Sequence, residues 1–277
     1  MQNQKAESLV IVRGGGDLAT GTIQKLYNAG FPVWVLECSQ PTAIRRKVAF
    51  SEAVYDGEAT VEGIRAVRVE DREQAAKEAE QGNIPVLIDG EARILQKIRP
   101  HVLVDAILAK RNLGTRRDMA EITIALGPGF RAGEDVDLVV ETKRGHQLGR
   151  LIWEGEALPN TGIPGVIGGY GKERVIHAPA EGCLHVEREI GSLVQKGERL
   201  AVISGKEGET EVDSPLEGVL RGILRDGFWV PKGMKLADVD PRKEEQANCF
   251  TVSDKARCIA GGVLEGILAL ENRRGKR

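Results

Sequence analysis

Aromatic side chains are scarce, at 4% of 277 residues, too few for the stacking platforms with which single-strand nucleic-acid binders hold bases. Neither sign of charge dominates. The 39 Lys+Arg against 41 Asp+Glu leave a formal net charge of -2, which gives no basic footprint for nucleic acid. No apolar run approaches the ~20 residues that cross a bilayer; Phe31 to Leu36 is among the longest. The start, Met1-Gln2-Asn3-Gln4-Lys5, lacks the apolar core of a secretion signal. The cysteines Cys38, Cys183, Cys249 and Cys258 contain no Cys-x-x-Cys pair, so no metal site is expected and reduced thiols are the default. These absences describe a soluble cytoplasmic protein with neither membrane nor nucleic acid as partner.

With 41% hydrophobic and 29% charged residues, the chain has the composition of a folded protein. At ~150 residues per domain it makes one large or two modest domains. Residues 8–13 form an apolar run that ends at Gly14-Gly15-Gly16. A periodic stretch from Leu18 to Ala29 closes at Gly30, and a second run, Pro32 to Leu36, ends at Glu37. Strand, glycine turn, helix, strand is the βαβ order, and unbroken apolar strands suit a parallel sheet covered on both faces. The alternation continues with a strand at Ile64 to Val69, a helix at Arg72 to Gln81 with Gly82 behind it, and a strand at Pro85 to Ile88. A short helix at Ala92 to Ile98 and a strand at Val102 to Asp105 complete a doubly wound, Rossmann-like α/β domain.

From Glu121 the pattern becomes β-rich, with strands at Ile122 to Leu126, Val136 to Thr142 and Leu148 to Trp153. Thr161 to Gly171 holds five glycines and one proline, the composition of a linker. Beyond it lies an ungapped internal repeat with an offset of 36: Pro179, Glu181, Gly182 and Leu184 recur as Pro215, Glu217, Gly218 and Leu220. Gly191, Val194, Lys196, Gly197, Leu200 and Ala201 recur as Gly227, Val230, Lys232, Gly233, Leu236 and Ala237. Two copies are too few for a solenoid; two interlocked β-halves closing one small barrel fit better. Ala256 to Leu270 reads as a helix returning to the first domain, followed by a solvated basic tail from Arg273 to Arg277. The expected boundaries are 1–160 completed by 243–277 for the α/β domain, with 172–242 as an inserted β domain.

Gly14-x-Gly16-x-x-Ala19 opens the first helix, and Glu37 stands 21 residues past Gly16. Such a turn brings backbone close to a pyrophosphate at a helix N-terminus, while the acid accepts from ribose hydroxyls. Asp17 in the first turn competes for the same amides or caps the helix, and Arg13 is placed to offset its charge.

The repeat at 175–242 resembles the biotinyl/lipoyl-like, or barrel-sandwich hybrid, family through its twofold Gly-x-x-Val-x-Lys-Gly motif. In carrier members a hairpin lysine bears the cofactor. Here the corresponding place falls on Glu207, with Lys206 one residue early and no methionine beside it, so no biotin or lipoyl attachment is expected. Across nearly the whole chain, several segments resemble accessory proteins of the selenium-dependent molybdenum hydroxylase system. They include Arg13 to Gly21, Arg45 to Val54, Val104 to Asn112, Gly127 to Gly133, Glu141 to His146 with Leu148 to Arg150, Ser253 to Ala256 and Gly261 to Glu265. That resemblance implies an accessory role in maturing such enzymes, with a molybdenum hydroxylase client as partner.

The residues themselves supply site candidates. Arg13, Gly14, Gly16, Asp17, Glu37, Arg46 and Lys110 are expected to bind a molybdopterin-type or dinucleotide cofactor at the carboxyl edge of the sheet. His146, Glu141 and Asp105 are the acid/base candidates, with Arg144 beside them to grip an anion. Structural turns and ion pairs explain the same residues equally well, and Cys38 reads as an ordinary thiol. Three readings stay open: the maturation factor, an NAD(P)-dependent oxidoreductase with His146 as acid/base, and a non-catalytic scaffold.

Overall fold

The computed structural model describes residues 8–162 and 165–275. The polar start, Ile163 and Pro164 of the expected linker, and the last two residues of the basic tail lie outside the described residues. The chain divides into two compact units, one of Met1–Pro41, Ala49–Asn160 and Val252–Arg277, the other of Thr42–Val48 and Thr161–Thr251. The fold is mixed α/β, with one large, mostly parallel sheet and smaller antiparallel sheets.

The first unit contains β1 (Val10–Arg13), α1 (Asp17–Asn28), β2 (Val33–Glu37), α2 (Ala53–Asp56), β3 (Glu58–Val61), β4 (Ile64–Val69), α3 (Arg72–Glu80) and β5 (Ile84–Ile88). It continues with β6 (Val102–Asp105), β7 (Ile122–Leu126), β8 (Arg131–Ala132), β9 (Leu138–Val140), β10 (Leu151–Ile152), β11 (Gly155–Glu156) and, at its end, α4 (Asp254–Gly275). The main sheet has the order β10-β9-β7-β6-β1-β2-β5-β4-β3. Its strands from β9 to β4 run parallel, and β10 and β3 are antiparallel edges. Val10, Ile11 and Val12 are fully buried, as a strand covered on both faces requires. The chain winds outward from β1 through β2 and then returns to place β6 on the other side of β1. The carboxyl ends of β1 and β6 therefore flank the point where strand order reverses, with Arg13 in register with Asp105.

Helix ends follow local chemistry. α1 stops at Gly30, whose φ of 93° suits glycine, and Phe31 N–H reaches back to Leu26 C=O while Gly30 N–H bonds Tyr27 C=O. The helix expected over Ala92 to Ile98 is only a 3-10 turn, Arg93–Gln96. Ala92 takes φ 57°, and the Asp89 carboxylate caps the amides of Arg93 and Ile94, which fixes a tight turn in place of an α-helix.

α4 lies against α1 and the β9 side of the sheet by close backbone approach. A Cβ on Gly21 would come within 2.8 Å of the Ala256 Cβ, and one on Gly262 would run into the Gly149 carbonyl oxygen.

The second unit contains β12 (Val175–His177), β13 (Gly182–Val186), β14 (Leu193–Val194), β15 (Arg199–Gly205), β16 (Gly208–Asp213), β17 (Gly218–Ile223), β18 (Trp229–Val230) and β19 (Lys235–Asp240). These form two four-stranded antiparallel sheets, β12-β19-β17-β14 and β16-β15-β13-β18. Each sheet draws strands from both copies of the repeat. Gly182 pairs with Val230, and its repeat mate Gly218 pairs with Val194. A Cβ at Gly182 would strike the Ser204 carbonyl, and one at Gly218 the carbonyl of Asp240, again 36 residues on. At each copy the repeated glycine both pairs with the other copy and packs against a carbonyl of its own. Lys206 and Glu207 form the exposed two-residue tip of the β15–β16 hairpin, closed by the Gly205–Gly208 pair.

Two neighbouring glycines of α4 predict opposite outcomes. Gly261→Ala meets no atom within 4 Å and should stabilise the first unit by about 0.5–1 kcal/mol through helix propensity. Gly262→Ala has the same intrinsic gain, yet the Gly149 clash should reverse it to a loss of about 1–3 kcal/mol. Urea unfolding of both variants checks the pair of signs.

Candidate ligand site

The glycine turn after β1 is clamped on most sides. Gly14 has φ 97°, donates to Leu36 C=O at 2.7 Å, and would place a Cβ 3.0 Å from the Ala106 carbonyl oxygen. The Gly15 N–H donates to Glu37 Oε2 at 2.7 Å. Its carbonyl accepts from Ser51 N–H at 2.8 Å and from Thr20 Oγ1 at 3.1 Å. A Cβ on Gly15 would lie 2.9 Å from the Ser51 nitrogen. Gly16 differs from both. It is the N-cap of α1 with φ -64° and ψ 178° and offers no capping side chain, and a Cβ there would meet nothing within 4 Å.

Below the turn lies a buried polar network. Arg13 and Asp105 are each 2% exposed. Arg13 Nη1 donates to Thr115 Oγ1 at 2.6 Å, and Thr115 Oγ1 donates to Asp105 Oδ2 at 2.6 Å. Arg13 Nη2 reaches the carbonyls of Gly90 at 2.9 Å and Leu113 at 3.3 Å. The guanidinium therefore ties the loops after β5 and β6 to β1, and its bonds are spent there. Burial pushes the Asp105 carboxyl above its ordinary value, while Thr115, Arg13 and the Ile107 amide pull the other way.

The other expected site residues take varied places. Glu37 accepts from Gly15 N–H through one oxygen and from Cys38 N–H at 2.8 Å through the other. The Cys38 thiol is pushed up to about 11 by burial and by the adjacent Glu37 charge, so it stays protonated near neutral pH. Glu141 is 2% exposed and accepts from the amides of Thr142, Lys143 and Leu158 at 2.7 to 2.8 Å. Arg144 pairs with Asp254 at 3.0 Å, and His146 is exposed in the turn that follows. Lys110 is exposed with φ 63°. Arg46 belongs to the second unit, where its Nε donates to Ile223 C=O at 3.0 Å; the sequence-based placement beside Glu37 missed this because a seven-residue excursion, Thr42–Val48, carries no local signature. Among the described residues, no cluster of His, Cys, Asp and Glu is arranged to hold a metal, and no helix is long and apolar enough to cross a membrane.

Sequence reasoning also missed Thr115 and Lys255. Lys255 stands in the first turn of α4, half-buried. Burial first, and then the Arg144 charge, draw its ammonium below the ordinary lysine value, against Asp17, Glu141 and Asp254, which pull upward. Its only sequence signal is its place at the head of the last helix.

No family model matches the chain. It is 51% identical over 262 residues to the uncharacterized protein YqeB of Escherichia coli (strain K12), covering 95% of this chain and 48% of that protein. The chain thus spans about half the length of that curated relative. Among solved structures, the product-bound ectoine utilization protein EutE (DoeB) from Ruegeria pomeroyi is 13% identical over 83% of this chain and 56% of that one, with a TM-score of 0.23. A succinylglutamate desuccinylase/aspartoacylase from Rhodobacter sphaeroides is 15% identical, covers 84% and 85% of the two chains, and has a TM-score of 0.28. An aspartoacylase family protein from Mesorhizobium loti is 12% identical over the same shares, also at 0.28. Likeness this slight lends the chain neither those proteins' fold nor their activity.

The comparisons nevertheless correct the family resemblance drawn from sequence segments. No family model ties the chain to that system, and the 51% identical relative is described only as an uncharacterized protein. The selenium-dependent molybdenum hydroxylase maturation role, and with it the docking on a hydroxylase client, is withdrawn.

The Arg13–Thr115–Asp105 network generates a stability prediction. Asp105→Ala leaves a buried guanidinium without its acid and should cost about 3–5 kcal/mol, whereas Asp105→Asn keeps an acceptor for Thr115 and should cost about 1–2 kcal/mol. Because the native state raises the Asp105 value, this group's contribution is greatest at acid pH and is lost as pH climbs from the unfolded value of ~3.9 through the folded one. Urea titrations from acid to neutral pH should show that component vanish in Asp105→Asn.

Proposed function

We propose that the first unit is a Rossmann-like module that binds a dinucleotide at the turn between β1 and α1, and that the second is a barrel-sandwich hybrid serving as a non-carrier appendage. The order β5-β2-β1-β6-β7-β9 within the main sheet supports the first assignment, since doubly wound sheets bind ligands at the carboxyl ends where strand order reverses. The exchange of strands between the two repeat halves supports the second.

The observation that carries the reading is Gly16. Gly14 and Gly15 are required by backbone angle or by close neighbours, but Gly16 has an ordinary φ and open space where its side chain would be. Nothing among the described residues asks for glycine there. A phosphate drawn to the α1 N-terminus does, because only glycine lets the backbone amides approach it. Two further features fit. Glu37 is held against the turn by Gly15, and each carboxylate oxygen retains lone-pair capacity for a ribose hydroxyl. The Ser51 hydroxyl, in the residue whose amide clamps Gly15, is buried without a hydrogen-bond partner.

Thermal shift with NAD+, NADP+ and FAD tests the proposal. At a hundredfold excess over Kd, a bound dinucleotide should stabilise the wild-type protein by about 2.7 kcal/mol. Gly16→Asp should abolish that rise while leaving unliganded stability within about 0.5 kcal/mol of wild type, since aspartate is a good N-cap. The absence of a shift with all three compounds would refute the reading.

A further inference from the structure

One loop leaves the glycine turn and returns to it. Glu37, at the end of β2, accepts from the Gly15 N–H at 2.7 Å. The chain then passes into the second unit at Thr42 and comes back to the first at Ala49. On its return the Phe50 N–H donates to Thr20 Oγ1 at 3.0 Å, and the Ser51 N–H donates to the Gly15 carbonyl at 2.8 Å. Thr20 Oγ1 donates to that same carbonyl, so two successive amides of the returning limb converge on one backbone oxygen. The outgoing limb has a pin of its own, since the Tyr55 hydroxyl donates to Pro41 C=O at 2.8 Å.

The middle of the loop, Thr42–Val48, is seated within the second unit. Arg45 Nη2 donates to the carbonyls of Asn248 at 3.1 Å and Thr251 at 3.0 Å. Arg46 Nε donates to Ile223 C=O at 3.0 Å, and its Nη2 stands 4.0 Å from Glu189 Oε2. Ile44 packs on the apolar core of that unit, and a Cβ on Gly222 would come 2.7 Å from the Ile44 carbonyl oxygen. The repeat supplies an internal comparison, because the mate of Gly222 at the offset of 36 is Val186, half-buried in β13. Gly222 does not take the left-handed backbone, so its strand does not require glycine. The backbone of Ile44 does.

We infer that Thr42–Val48 is a regulatory strap: its seating on Gly222 and Ile223 holds the returning limb in place, and unseating it loosens the glycine turn. The covalent chain carries the coupling, with Phe50 and Ser51 as the first residues to feel it. A buried donor that loses its acceptor leaves an unsatisfied group behind, so the bonds to Thr20 Oγ1 and Gly15 C=O open together. The Glu37 end is insulated by the Tyr55 pin and responds less. The inference concerns the unliganded chain and stands or falls apart from the dinucleotide reading.

Hydrogen exchange of the unliganded full chain, followed by NMR, tests this in wild type, Gly222→Val and Arg46→Ala. Trypsin cleavage after Arg45, Arg46 or Lys47, measured separately, reports unseating. Gly222→Val installs the residue of the other repeat copy and drives its side chain at the Ile44 carbonyl, whereas Arg46→Ala removes two contacts without adding bulk. Both should raise cleavage and speed exchange at Phe50 and Ser51 at least tenfold, with the Gly15 amide following by about threefold. Amides of β6 and β15 should stay within about twofold of wild type, as marks of an intact first and second unit. Cleavage that rises with no change at Phe50 and Ser51 overturns the inference. Exchange that rises equally in β6 does the same, since it signals general opening of the first unit, and so does a strap that stays uncleaved in both variants. Should Gly222→Val lose protection in β15, Arg46→Ala alone decides.

Discussion

The backbone of Gly15 is the constraint around which the first unit is organised. Its N–H is held by Glu37 at the end of β2, and its C=O is held by Ser51 and by Thr20 within α1. One residue thus fixes the exit of β1, the entry of α1 and the direction of the β2 carboxylate. Each of these bonds lies in or next to buried surroundings, where loss of a partner exposes the full desolvation penalty of the other. The turn is consequently rigid on its inner side, and the freedom that remains lies on its outer side at Gly16.

That asymmetry separates structural glycines from one whose identity the protein does not itself require. Gly14, Gly21, Gly182, Gly218 and Gly262 are each explained by a backbone or side-chain atom occupying the place of a Cβ. Close packing of this kind is the same device in both units, closing α4 onto α1 in one and tightening each half of the repeat in the other. Within the turn, Gly16 stands apart because no described atom lies where its Cβ would be, and it supplies no capping side chain to the α1 amides.

Much of this was legible in the sequence, because strong periodic signals survive folding. The β1–glycine–α1–β2 order could be read from apolar runs and punctuation, and the offset of 36 foreshadowed strands related by a repeat. Three things were not legible. The role of Arg13 depends on Thr115, more than a hundred residues away, and neither residue carries a local sign of the other. Arg46 follows a short excursion of chain into the second unit, which no composition shift marks. Glu141 looked like chemistry because it is a carboxylate after a strand, yet its bonds go to three amides of its own and a neighbouring loop. In each case the deciding partner is set by tertiary contact and not by pattern.

The central claim is that the outer amides of the glycine turn receive an anionic ligand. Amide chemical shifts recorded by NMR during titration with NAD+ test it most directly. The account predicts saturable shifts at Gly16, Asp17 and Leu18, with the resonances of the second unit's repeat unchanged. If those three amides stay in place at millimolar NAD+, or only resonances away from the turn move, the account is contradicted.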